Sequence, residues 1–227
     1  MTLVVTVGSA NWVLQVSDRR FTYPPGRSAP AGADEKNKEV VIHAADADLA
    51  VAFTGLAEIG PLSTGDWLLE AISRAKGAES GFDACIDAVR VAADAAYAGS
   101  TVPWNPPRPL TFIFAGFQKN GRQPQIATVS NCQSIHFRTV EVSRRFGTYS
   151  VSNQPHPYHV AGATPAVAQD SRPKIRGVAR RTRDCSAVAD LVVAEVRRAA
   201  KHAKHGKFIG ESCMSICISR DGGIHSR

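Results

Sequence analysis

Residues 1–22 read MTLVVTVGSANWVLQVSDRRFT, and the reading of this stretch decides the fold. Two short strands are predicted, Leu3–Val7 and Trp12–Val16, around the turn Gly8-Ser9-Ala10-Asn11. Trp12, Leu14 and Val16 alternate with Val13 and Gln15, so the second strand has two distinct faces. The ends of this hairpin carry the chemistry. Thr2 directly follows Met1. Threonine is small enough for the initiator methionine to be removed, which would make Thr2 the mature N-terminus. Asp18 follows in the run Ser17-Asp18-Arg19-Arg20-Phe21-Thr22.

An N-terminal threonine can act as a nucleophile that brings its own base. Its hydroxyl is weak at its own pKa, but a free α-amine with a pKa of about 8 can take the proton. Such a centre also needs a lysine to lower the pKa of the pair by like charge, and a carboxylate to hold that lysine. A backbone N–H must receive the oxyanion. The chain supplies candidates in order. Lys38 stands at the mouth of a strand in Asp34-Glu35-Lys36-Asn37-Lys38-Glu39-Val40-Val41-Ile42. A buried strand then runs from Asp48 through Phe53 into Thr54-Gly55, with Ala57 just beyond.

On these residues the chain resembles the proteasome β-subunit family and its bacterial relatives, which are N-terminal-nucleophile hydrolases. The shared pattern is the leading Thr2, Asp18-Arg19-Arg20-Phe21-Thr22, Lys38, and the apolar strand ending at Thr54-Gly55. The loop from Tyr23 to Asn37 is longer than the family's, so Lys36 competes with Lys38 as the lysine of the site. The resemblance implies Thr2 as nucleophile, Asp18 and Lys38 as its support, and Gly55 N–H as oxyanion donor. It implies Thr22 as a backbone clamp for substrate, and Phe53 and Ala57 at the primary specificity pocket. A bulky Phe53 would favour small or medium apolar residues before the cut. The family's auxiliary Asp-x-x-Ser-Gly is missing ahead of the last strand. Only Glu211 and Ser212 could substitute, and Thr164 is the only hydroxyl near Gly162 for a second helper.

Composition is consistent with one domain over residues 1–227: the 227 residues are 44% hydrophobic, and no Pro/Gly/Ser linker divides them. No apolar run reaches the length of a membrane helix, so a cytoplasmic protein without membrane contact is expected. Cys85, Cys132, Cys185, Cys213 and Cys217 are scattered without a CxxC, which predicts reduced core thiols. Cys213 and Cys217 lie four apart and should share a strand face. No metal-ligand spacing and no phosphate or dinucleotide loop is present, so no metal and no cofactor is expected. The net charge of +7 gathers in Arg172–Arg183 and Arg197–Lys207. Without interleaved aromatics, solvated helix faces are a better reading of these clusters than nucleic-acid binding.

Further along, strands are predicted at 38–43 and 48–54, then helices at 66–75 and 82–98. A second block follows, with strands at 110–117, 125–129, 134–142 and 158–162. Helices at 174–183 and 186–202 and a strand at 213–219 complete the chain. Blocks of strands and helices give an α+β class. The resemblance implies that they stack as a four-layer αββα sandwich. The expected activity is that of a threonine-type peptidase or amidohydrolase, acting on a peptide or protein and assembled as a homo-oligomeric ring. The helix at 66–75 would be an inter-subunit face. An ATPase partner is left open. The alternative is a catalytically weak or inactive ring or scaffold subunit.

Overall fold

The computed structural model describes residues 2–20, 37–98, 108–119, 121, 123–133, 141–151, 154–162, 167, 171–201 and 209–227. Its elements in chain order are β1 (Leu3–Gly8), β2 (Trp12–Asp18), β3 (Glu39–His43), β4 (Ala47–Thr54), β5 (Glu58–Ile59), β6 (Leu62–Ser63), α1 (Thr64–Arg74), α2 (Gly77–Ser80), α3 (Phe82–Ala98), β7 (Thr111–Gln118), β8 (Gln125–Ser130), β9 (Gly147–Val151), β10 (Tyr158–Gly162), α4 (Ser171–Ala179), α5 (Ser186–Ala200), β11 (Cys213–Ser219) and β12 (Ile224–Ser226).

Two five-stranded sheets dominate, in the orders β10-β1-β2-β11-β12 and β3-β4-β7-β8-β9. Every pairing in both is antiparallel. The period-2 alternation of each strand sorts its side chains into different cores. Leu3, Val5, Val7, Trp12, Leu14 and Val16 pack against α4 and α5 through Ile175, Val188, Val192 and Val196. The opposite faces of the same strands carry Val4 and Val13, which meet Ala50, Ala52, Ile113 and Ala115 of the second sheet. That sheet turns Leu49, Val51, Phe53, Phe112 and Phe114 toward Leu68, Ile72, Cys85, Ile86 and Val89 of α1 and α3. The inter-sheet layer is not wholly apolar. Gln15 Nε2 crosses it to donate to the Ile113 carbonyl at 3.2 Å.

Local chemistry sets the helix starts. Ser63 caps α1, its Oγ accepting from Asp66 N–H at 3.1 Å and donating to Asp66 Oδ2 at 2.6 Å. This cap begins the helix two residues earlier than its apolar stripe predicts. The fifth strand of the second sheet is β9, at 147–151. The predicted strand over 134–142 lies mostly outside the described residues, and 141–142 are not strand. The basic helix runs from 171 to 179, not from 174 to 183. Cys213 and Cys217 do share the helix-facing side of β11. Of the five thiols, only Cys85 and Cys217 are buried. Among the described residues no helix is long and apolar enough to cross a membrane.

Candidate active site

The end of β1, the end of β2, the residue before β3 and the end of β4 converge on one point. Antiparallel register sets Leu3 against Gly162 on one side, and β2 runs back along β1 to end at Asp18. The Asp18 carboxylate is completely buried and organises its surroundings through backbone donors. Leu3 N–H donates to Oδ2 at 2.7 Å. Arg20 N–H and Gly210 N–H each donate to Oδ1 at 3.0 Å. Lys38, also fully buried, donates from Nζ to Asp18 Oδ1 at 3.1 Å and to Thr2 Oγ1 at 2.7 Å. Its third acceptor is the Arg20 carbonyl. An ammonium has three protons, and these three acceptors match them.

Thr2 is 5% exposed. Its carbonyl accepts from Thr54 Oγ1 at 3.2 Å. Gly55 comes next, with φ +122°, and a Cβ there would lie 2.1 Å from the Pro109 carbonyl oxygen. Only glycine fits that turn. Gly162 has φ +87°, and its Cβ would fall 1.7 Å from the Thr2 carbonyl oxygen. Thr2 is thus packed directly against the Gly162 backbone.

Electrostatically the centre is one buried ion pair, with further buried titratable groups beside it. Burial pushes the Glu39 carboxyl, next in sequence to Lys38, well above the usual carboxylate range. The Cys213 thiol, whose residue pairs with Asp18 across the sheet, is raised to about 11, first by burial and then by the Asp18 charge. The Cys213 thiol is therefore uncharged at neutral pH, and burial disfavours charge on Glu39, so the Lys38–Asp18 ion pair dominates beside Thr2.

The structure therefore brings Thr2, Asp18 and Lys38 together and sets Thr54-Gly55 beside them. Lys38 is bonded to Thr2. Lys36 and Thr22 lie outside the described residues, as does Thr164. Ser212 is exposed, and its recorded contact is a carbonyl accepting from Arg19 N–H at 2.9 Å. Its hydroxyl is not hydrogen-bonded to Thr2, and the segment before the last strand acts instead through Gly210 N–H. Phe53 is buried beneath α1, its ring 3.8 Å from the position of a Gly65 Cβ and tilted against Phe112. Ala57 is half-buried and accepts from Thr64 N–H at 2.9 Å. Sequence reasoning missed the contributions of Gly162, Gly210 and the Arg20 carbonyl. A glycine at the end of a buried strand was the only available signal.

No family model matches the chain, and no curated protein does. Solved structures do. Anbu from Hyphomicrobium sp. strain MC1 superposes with a TM-score of 0.60 at 12% identity, over 99% of this chain and 86% of that one. Anbu (ancestral beta-subunit) from Yersinia bercovieri gives 0.62 at 9% identity, over 98% and 82%. A Gly-1 mutant of the Hyphomicrobium protein gives 0.58 at 13% identity, over 100% and 86%. The chain has the proteasome-like fold of these Anbu proteins. This corrects the resemblance drawn from the sequence. The matching structures are Anbu proteins, a family distinct from the proteasome β-subunits, and at these identities the likeness is one of fold.

Proposed function

We propose that the chain is an N-terminal-threonine hydrolase that cleaves amide bonds in peptides. One observation carries the reading. A fully buried lysine bridges the Thr2 hydroxyl, at 2.7 Å, to a fully buried aspartate, at 3.1 Å. A buried ion pair aimed at a hydroxyl lowers the cost of developing negative charge on that oxygen.

In the proposed reaction, Met1 is first removed. The freed α-amine of Thr2 takes the hydroxyl proton as Oγ1 attacks the substrate carbonyl. Lys38, held by Asp18, stabilises the forming alkoxide. Gly55 N–H receives the oxyanion, a role worth a factor of roughly 10²–10³ where one such donor has been removed elsewhere. The ammonium returns its proton to the leaving amine, which departs and leaves an ester on Oγ1. Water, deprotonated by the same amine, then hydrolyses the ester and restores Thr2. Phe53 and Ala57 bound the pocket for the residue before the cut and favour small or medium apolar side chains. The proposed fold is a single domain built as a four-layer αββα sandwich, with one helix pair on each outer face. It assembles as a homo-oligomeric ring through the groove between α1 and α3. That groove has a volume of about 590 Å³ and is lined by Trp67, Ala71, Ala88, Val91 and Ala92.

Turnover of fluorogenic peptides tests the reading. Thr2→Ala should abolish turnover, Thr2→Ser should retain part of it, and Lys38→Ala should cost more than Lys36→Ala. Equal rates for Thr2→Ala and wild type would overturn it. A second reading rests on the exposed Ser212, which leaves Thr2 without a hydroxyl partner from that segment. In this reading the protein is a catalytically weak or inactive ring subunit, and wild type and Thr2→Ala would be equally silent.

A further inference from the structure

A second polar cluster lies at the opposite end of β10. Tyr158 pairs with Val7 and Gly162 with Leu3, so four residues of strand, roughly 13 Å, separate the cluster from Thr2. Arg172, Arg176 and Arg180 recur every four residues along α4 and its last turn, which stacks them on one side of the helix. The Arg172 guanidinium carbon sits 5.6 Å from the centre of the Tyr158 ring. Arg172 and Arg180 are exposed, while Arg176 between them is half-buried. Burial, and then the charges of Arg172 and Arg180, lower the pKa of Arg176. Arg180 and Arg176 also help burial to lower that of His156, which is held toward Gly8 of β1.

Among the described residues, none of these three arginines has a carboxylate within ion-pair distance. Among the described residues, the charge of Glu195 of α5 reaches Tyr158. Its carboxylate is bound by Arg198, at 2.6 and 2.9 Å. Among the described residues, three buried polar atoms at this place make no hydrogen bond: Arg176 Nε, His156 Nδ1 and Tyr158 Oη. Three neighbouring guanidiniums with no carboxylate at ion-pair distance among the described residues, beside polar atoms that can make further hydrogen bonds, form a surface suited to an anion.

We propose that this face of α4, with His156 and Tyr158, binds a phosphate group, either as the free ion or as the phosphoryl group of a small ligand. A dianion with several acceptor oxygens can bond more than one planar guanidinium at once and offsets more of the cluster's charge than a single carboxylate does. Lys174 is not part of the cluster. It lines the opposite groove with Leu191, Glu195 and Arg198.

The test uses the full chain, with sodium phosphate titrated against sodium chloride at matched ionic strength and followed by calorimetry and thermal unfolding. Wild type should bind phosphate saturably. Arg176→Gln should weaken binding at least tenfold, and Lys174→Gln should leave it unchanged. Arg172→Gln with Arg180→Gln replaces two exposed side chains, so the fold should survive, and this double variant should lose binding as well. Repeating the titration with phosphoserine separates the sources. Tighter binding than inorganic phosphate assigns a carried phosphoryl group, and equal or weaker binding assigns the free ion. The proposal is overturned if phosphate acts no differently from chloride, or if the arginine variants bind it as wild type does.

Discussion

Replacing Lys38 with methionine tests the buried centre directly. Methionine keeps most of the stem volume and removes the charge, so little of the effect should come from a cavity. Both Lys38 and Asp18 have fully buried side chains. Removing one partner of a buried ion pair costs about 3–5 kcal/mol, because the other charge is stranded. Asp18 would keep its backbone N–H donors from Leu3, Arg20 and Gly210, at 2.7, 3.0 and 3.0 Å. These soften the loss and place the expected value near the lower bound, at about 3 kcal/mol. For a chain of this length, that corresponds to a fall in Tm of roughly 6–12 °C. Equilibrium urea unfolding at pH 7, followed by tryptophan fluorescence, would measure it. Lys174→Met serves as the surface control and should stay within about 0.5 kcal/mol of wild type. Adding Asp18→Asn to Lys38→Met should cost less than the sum of the single changes, since the stranded charge is then gone. The reasoning is refuted if Lys38→Met unfolds at the same urea concentration as wild type.

Gly162→Ala should disable the site more than it destabilises the fold, because its Cβ would lie 1.7 Å from the Thr2 carbonyl oxygen; kcat measured alongside Tm checks this. His159 is fully buried between the sheets, and burial pushes its pKa down to about 3 from its usual 6.5. A depressed base contributes stability above pH 6.5 that is lost as the pH falls toward 3, about 2 kcal/mol of it by pH 5. His159→Gln should therefore flatten the acid limb of stability measured by urea unfolding. Glu39 has the opposite sign. Its raised pKa means that stability present at acidic pH falls as the pH climbs through the folded-state value. Glu39→Gln should remove that decline, read from Tm against pH.

The inner hairpin was legible because two side-chain periods, one for each face, fix both of its cores. Trp12, Leu14 and Val16 do face the helices, and Val13 faces the other sheet. That Thr2, Asp18 and Lys38 come together was legible because the proposed chemistry restricts the residue types that could serve it. What escaped was backbone chemistry, which any residue can supply. Gly210 N–H reaches Asp18 from 192 positions away, and nothing local marks it. Ser212, chosen for its hydroxyl, stands two residues from the group that makes the contact. The strand Gly147–Val151 escaped because Tyr149 and Val151, alternating with Thr148 and Ser150, make too short a pattern to stand out; its pairing with β8 defines it. Ser63 capping shifted the start of α1 for a similar reason, since the apolar stripe gives the buried face of a helix and not its first residue.

The central claim is that Thr2 acts as an N-terminal nucleophile, and intact mass after incubation with a peptide epoxyketone tests it most directly. The account predicts that only chains lacking Met1 gain the mass of one inhibitor, that Thr2→Ala gains none, and that Met1-retaining chains stay unmodified and do not cleave. Labelling or cleavage by the Met1-retaining form at the rate of the processed form would contradict it.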